Sequence, residues 1–325
     1  MNHRKQIAAI IILLGAAVLI LDGKHAIQAG IEGVELCIRT VIPSLFPFLF
    51  LSSLLTSILW GSEFSFLRPL SRQIGIPKGG QSLLIAGFLG GYPAGAQAIT
   101  EAYRLGKLEK STAENLLSFC NNAGPAFLFG MTAMQFSSLK QIWMLWAIHI
   151  LSALLTAWLL AKPASSEITL VKRELSLSGS LNGTIRIMAS VCGWILLFRI
   201  TLSFLERWFL WLLPDEIQII ISGFLELSIG SIQLSSIPSE DMRFILCSGM
   251  LAFGGLCVAM QTASVTQGLS LRYYFQGKLM QTFFSIALSL LIIAHSSGWM
   301  LICAGILFFP LLSKKRSGNQ ELSVV

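Results

Sequence analysis

Charged residues are scarce in this chain: Asp, Glu, Lys and Arg make up 12% of its 325 residues, against ~25% in a typical soluble domain. A water-facing surface cannot be built from so few charges, which excludes a soluble fold for the main body. Catalytic and metal signatures are lacking too. The cysteines stand singly at Cys37, Cys120, Cys192, Cys247, Cys257 and Cys303, with no CxxC pair and no histidine at metal spacing, and they read as small buried hydrophobes. His3, His25, His149 and His295 are isolated as well, which suits packing or interfacial roles. GxSxG and HExxH are missing, and Gly277-Lys278 is followed by Leu279 without the upstream glycine of a phosphate loop. No catalytic residue, metal or cofactor is expected, and the chain is not read as an enzyme. Its net charge of +7 is scattered between apolar runs rather than gathered in a basic stripe, which speaks against nucleic acid as a partner.

Apolar sequence is what the chain has instead. Hydrophobic residues make up 54% and the mean hydropathy is +0.73. The expected fold is an all-α polytopic membrane protein in a single membrane domain spanning 1–325, with room for about eight crossings of ~20 residues. Apolar runs place crossings near 6–21, 43–60, 112–136, 141–161, 186–205, 242–268, 279–295 and 298–313. The first run follows His3, Arg4 and Lys5 like a signal peptide, but no small-residue cleavage pattern precedes Asp22, Gly23 and Lys24, so it is read as an anchor. Residues 24–40 repeat Ile27, Ile31, Val34 and Ile38 at helical spacing, which predicts an interfacial helix. The Ser-rich stretch 162–182 reads as a cytoplasmic linker between repeat 1 (41–161) and repeat 2 (183–297), with a last span and basic tail over 298–325.

Two stretches resemble one another. Gly87 to Gln97 reads GFLGGYPAGAQ and Gly223 to Gln233 reads GFLELSIGSIQ. In each, small or helix-breaking residues interrupt an apolar run, as a plain membrane span would not need. Both are therefore read as re-entrant helical hairpins, a single amphipathic span being the alternative for the second, which lacks a proline. Each is followed by a broken crossing: Ser118 to Pro125 in the first half, Gly254-Gly255 in the second. Val41, Phe48, Ser53 and Leu55 also match Val191, Phe198, Ser203 and Leu205 in order. With the N-terminus cytoplasmic, seventeen basic residues, Lys278 among them, fall on the inner side. Lys24, Arg39, Lys140, Arg199, Arg207 and Arg243 fall outside, completing the 23, in the sense of the positive-inside rule. The C-terminus is then cytoplasmic too. Three true spans per unit turn the second copy upside down, so the repeats are inverted and the tips meet from opposite faces. Paired interruptions of this kind point to a transporter core.

The candidate substrate-binding residues follow from these breaks. Gly90, Gly91, Tyr92 and Gly95 form the first tip and free backbone amides there. Asn121, Asn122 and Gly124 add amides in mid-span, as binding groups or as structural caps. The second half supplies Glu226, Ser228, Ser231 and Gln233 at its hairpin, and Gly254, Gly255 and Gln261 at its break. Gln97 and Gln233 are matched and could hold a substrate from opposite sides or glue helices together. Glu226 is an ionisable group deep in apolar sequence, read either as a proton or cation site or as a structural partner of Arg199 or Arg243. Arg199 could in turn meet a carboxylate substrate or extend to the outer interface.

Pro43-Ser44-Leu45-Phe46-Pro47-Phe48, the Gly87–Ala96 and Leu117–Pro125 motifs, and Phe253-Gly254-Gly255-Leu256 resemble the YlbJ-type sporulation integral membrane proteins of the nucleoside-recognition, or Gate, domain superfamily. The resemblance covers about 40 to 260. It implies a helical fold similar to concentrative nucleoside transporters, and a role in endospore formation, moving dipicolinic acid across the outer forespore membrane; the expected location is the cell membrane or the outer forespore membrane of a spore-forming bacterium. Expected partners are the lipid bilayer, a small-molecule substrate and a coupling ion, sodium or proton; an oligomer is compatible with the pattern. The competing readings are a non-transporting membrane scaffold or accessory subunit, and a Gate-domain transporter of another solute such as a nucleoside.

Overall fold

The computed structural model describes residues 3–162 and 175–294; the expected last span, the basic tail and most of the linker lie outside them. Among the described residues the regular structure is entirely helical. The chain begins with α1 (His3–Leu21) and α2 (Gly23–Leu36), which runs through a widened π turn at Cys37–Val41 into α3 (Ile42–Leu59). Prolines explain the widened turn. Pro43 and Pro47 bring no N–H and their rings crowd the carbonyls of the preceding turn. Ser44 compensates by donating to Thr40 O (2.7 Å) and Val41 O (3.2 Å). The expected interfacial helix and first-half crossing are thus one helical stretch, Gly23–Leu59.

After the short α4 (Arg68–Gln73) come α5 (Gln81–Leu89) and α6 (Ala94–Arg104), then α7 (Lys110–Leu116), α8 (Pro125–Gly130) and α9 (Leu139–Leu160). The second half repeats that order. The 32-residue α10 (Leu177–Trp208) is followed by the pair α11 (Asp215–Leu225) and α12 (Leu227–Gln233), the interrupted pair α13 (Glu240–Phe253) and α14 (Gly255–Val265), and α15 (Arg272–Ile293). The closing helices α9 and α15 each have 22 residues. Five described stretches are long and apolar enough to cross a membrane: Gly23–Leu59, Leu139–Leu160, Leu177–Trp208, Glu240–Val265 and Arg272–Ile293.

Two element bounds correct the sequence reading. Residues 177–182, expected in the linker, belong to α10, whose start is capped by Ser176 accepting from Gly179 N. The expected crossing 279–295 begins at Arg272 instead, so Lys278 lies inside a helix and is buried, not in a cytoplasmic loop. A hydropathy window penalises both Arg272 and Lys278, and cannot tell a charge at a helix end from one facing the interior.

α15 packs between α13 and α9, while α10 packs against α2 and α3. One core cluster joins both halves through Val41, Leu128, Leu145, Val191, Met250 and Leu288. A second surrounds the first helix pair, with Trp60, Leu83, Ile99, Phe119 and Tyr274. Glycine sets the closest approaches, as expected between membrane helices. Gly95 lies so near Gly87 that a Cβ on it would come within 2.7 Å of the Gly87 Cα, and Gly223 and Gly230 meet equally tightly in the second pair.

Candidate functional site

The first tip is made by backbone. Gly90 ends α5, Gly91 takes φ +71° and the Tyr92–Pro93 peptide is cis, after which α6 starts. It rests on the irregular segment between α7 and α8. A Cβ on Gly91 would lie 3.0 Å from Gly124 N, Asn122 N donates to Gly87 O (3.3 Å), and Ala96 N donates to Asn121 Oδ1 (3.3 Å). Groups freed by one interruption are thus satisfied by the other, as a low-dielectric interior requires.

The second half solves the same problem differently. Gly254 (φ +84°) closes α13 in the left-handed conformation and Gly255 (φ +81°) opens α14. Between α11 and α12 a single extended residue, Glu226, makes the turn. Its Oε2 accepts from Ile229 N at 2.7 Å, capping α12, and the residue is 1% exposed. Gly255 sits against this turn, its Cβ direction 3.3 Å from Leu227 N and 3.4 Å from Leu225 O.

The halves meet at their interruptions. Tyr92 lies against Gly254, and its hydroxyl reaches Leu251 O at 3.4 Å. Asn121 Nδ2 donates to Thr262 Oγ1 on α14 (2.9 Å). Asn122 Nδ2 donates to Phe119 O (2.6 Å), while its Oδ1 accepts from Gln281 Nε2 (3.0 Å) and Lys278 Nζ (3.5 Å) of α15. His149 of α9 completes the cluster, its Nε2 accepting from Ala123 N (3.0 Å). Gly90, Gly91, Tyr92, Gly95, Asn121, Asn122, Gly124, Gly254 and Gly255 are therefore gathered at the tips and breaks.

The remaining candidates are spread more widely. Gln97 and Gly90 face a cavity of about 300 Å³ between α3, α5–α6 and the start of α10, lined also by Ser52, Ser53, Thr56 and Ser180. Ser228 and Ser231 are buried in α12, with Ser231 Oγ making no hydrogen bond. Gln261 is buried on α14 and its Nε2 contacts Cys257 Sγ (3.4 Å). Gln233 Nε2 donates to Glu206 Oε1 (3.4 Å), surroundings unlike those of Gln97. Arg199 pairs with Glu32 (2.8 Å) and Glu206 (3.0 Å). That corrects the expected partnership with Glu226, which has no ion-pair partner among the described residues.

Thr262 belongs to the second break as the sequence places it, whereas Lys278, Gln281 and His149 escaped the sequence reading of the site. The available signal was the polar stripe Lys278, Gln281, Ser285, Ser289 at helical spacing, all of it buried on α15.

The chain is similar to the sporulation integral membrane protein YlbJ of Bacillus subtilis (strain 168), 26% identical over 326 residues that cover 85% of this chain and 79% of that protein. The YlbJ-type resemblance is borne out. Together with the apolar helices, this similarity makes the chain an integral membrane protein. No family model matches the chain, and no solved structure does.

Proposed function

We propose that this YlbJ-type protein is a membrane transporter of a small anionic metabolite, with dipicolinic acid the first candidate, acting in endospore formation at the outer forespore membrane. The observation that carries the reading is the meeting of two helix-pair turns and two helix breaks around Tyr92, Asn121, Asn122 and Gly254. Interruptions are costly in hydrocarbon and are placed where a cavity or ligand uses them. The 11-residue helices α6 and α14 both begin beside the Tyr92–Gly254 contact, so two positive helix ends converge there, favouring an anion. The relative's name says that it is a sporulation integral membrane protein, which supports the cellular setting.

In this proposal the two helix pairs are re-entrant, the repeats are inverted, and the architecture is of the Gate-domain type. One repeat rocks against the other to expose the site alternately, coupled to sodium or protons. The chain carries out no chemical conversion. The test is reconstitution into proteoliposomes with radiolabelled dipicolinate and imposed sodium, proton or cargo gradients. Saturable uptake is expected; failure to accumulate dipicolinate under every gradient overturns the cargo.

A second reading, a non-transporting scaffold, draws on Asn121, whose amide is satisfied at both ends by protein, Ala96 N and Thr262 Oγ1. Replacing Asn122 separates the two: a scaffold tolerates Asn122→Ala, whereas a transporter loses flux at unchanged membrane insertion.

A further inference from the structure

Lys278 is 1% exposed in the middle of the molecule. Its Nζ donates to Gln281 Oε1 (3.0 Å) and Asn122 Oδ1 (3.5 Å), and stands 5.9 Å from the ring centroids of both Tyr92 and Tyr274. These partners are neutral. Among the described residues no carboxylate oxygen lies within ion-pair distance of this ammonium group, whereas the paired cations Arg39, Arg68, Arg199 and Arg207 are all more exposed than Lys278. Carbonyl dipoles and aromatic faces stabilise a cation in part, but an ionised group inside a membrane protein without a counter-charge is expensive and marks function. An apolar side chain of similar length would pack in its place without that cost.

The surroundings specify the missing counter-charge. Two tyrosine rings flank Nζ, so a flat ring carrying a carboxylate is matched in both its parts, the acid to the ammonium group and the ring to the aromatic faces. Neutral amides of Asn122 and Gln281 offer further hydrogen bonds. One turn touches both a cavity and this lysine. Gly90 lines the 300 Å³ cavity with Ser52, Ser53, Thr56 and Gln97, and two residues further along the tip Tyr92 stands over Lys278. Gly277, the neighbour of Lys278, packs so closely on Ser118 that no side chain fits there, which fixes α15 against the Asn122 segment and holds Nζ at this place.

We propose that Lys278 is the residue that receives a carboxylate group of the cargo, with Tyr92 and Tyr274 receiving its aromatic ring, after entry through the cavity beneath the Gly90–Tyr92 turn. This deepens the transporter reading and rests on it. Buried Glu226, occupied in capping α12, takes no part in that contact.

The experiment measures binding to purified full-length protein by isothermal titration, using dipicolinate and its uncharged isostere pyridine-2,6-dicarboxamide, for wild type, Lys278→Arg and Lys278→Gln. Lys278→Gln is expected to weaken dipicolinate at least about tenfold and to leave the diamide within about twofold, whereas Lys278→Arg retains most dipicolinate affinity. Size-exclusion and circular-dichroism profiles matching wild type establish that the variants are folded; should the Gln variant fail this check, the acid-to-diamide preference of wild type and of Lys278→Arg decides. Dipicolinate affinity unchanged in Lys278→Gln overturns the role of Lys278 and leaves the transporter standing. Equal affinity of wild type for acid and diamide overturns carboxylate recognition alone, and binding of neither compound by wild type overturns this proposal together with the dipicolinate cargo.

Discussion

Arg199 is tied to Glu32 of α2 and Glu206 of its own helix, and Arg207 adds a bond to Asp22 at 3.0 Å. With its side chain 19% exposed, Arg199 is screened less than a surface pair, and its removal strands two carboxylates against each other. Arg199→Met is expected to cost roughly 2 kcal/mol, between the exposed and buried limits for such pairs, read as a lower melting temperature in detergent. Glu32→Gln in the same background should restore part of the loss, since it removes the repulsion. Spacing made only half of this network legible. Glu206 follows Arg199 by two helical turns on one face, but Glu32 meets it solely because Gly33 lets α2 approach α10, with a Cβ there 3.0 Å from Leu196 Cδ1, and such a contact leaves no local pattern. At Gly254 the constraint is conformational: φ +84° is a left-handed backbone, so Gly254→Ala should cost about 1–2 kcal/mol and Gly254→Asn less.

Helix ends are where the element scale decides function. Glycine and proline announced the first turn and the first break, because Gly90-Gly91 and Pro93 stop one helix and start another by their backbone chemistry alone. The second turn has no such residues. Its helices part at Glu226, whose carboxylate accepts from Ile229 N at the start of α12 as Asn121 Oδ1 accepts from Ala96 N at the start of α6, so only the repeated Gly-Phe-Leu pattern pointed there. This makes Glu226 testable in both of its readings. Glu226→Gln keeps an oxygen for Ile229 N and should leave the melting temperature within a degree or two, whereas Glu226→Ala removes the cap at a cost of about 1 kcal/mol. If Glu226 serves only as a cap, flux in proteoliposomes follows stability and survives in the Gln variant. A proton or cation site would instead lose flux in the Gln variant at unchanged stability. The start of α15 was missed for a related reason: Lys278 and Gln281 spoil an apolar average, yet they face Asn122 and cost nothing in lipid contact.

Across the whole molecule the two halves are joined by a shared apolar core and, at their interruptions, by polar contacts. Asn121 to Thr262, Tyr92 to Leu251 O and Gln281 to Asn122 all cross from one half to the other. If rocking of the repeats opens the site, at least one of these contacts must break in each cycle, and a covalent bond in its place must stop transport. The Asn121 and Thr262 side chains touch at 2.9 Å, which makes the two positions the pair to test for a cross-link between cysteines. In a background with the native cysteines replaced, Asn121→Cys with Thr262→Cys is expected to lose dipicolinate flux on oxidation or on addition of mercuric ion, and to regain it with reductant. The reduced double variant sets the reference flux, and neither single variant should respond to oxidant or reductant, which separates locking from loss of the native hydrogen bond. Undiminished flux through a pair shown by mass spectrometry to be fully bridged would mean that these two points never separate, and the site would then have to open elsewhere, at the cavity between α3, α5–α6 and the start of α10.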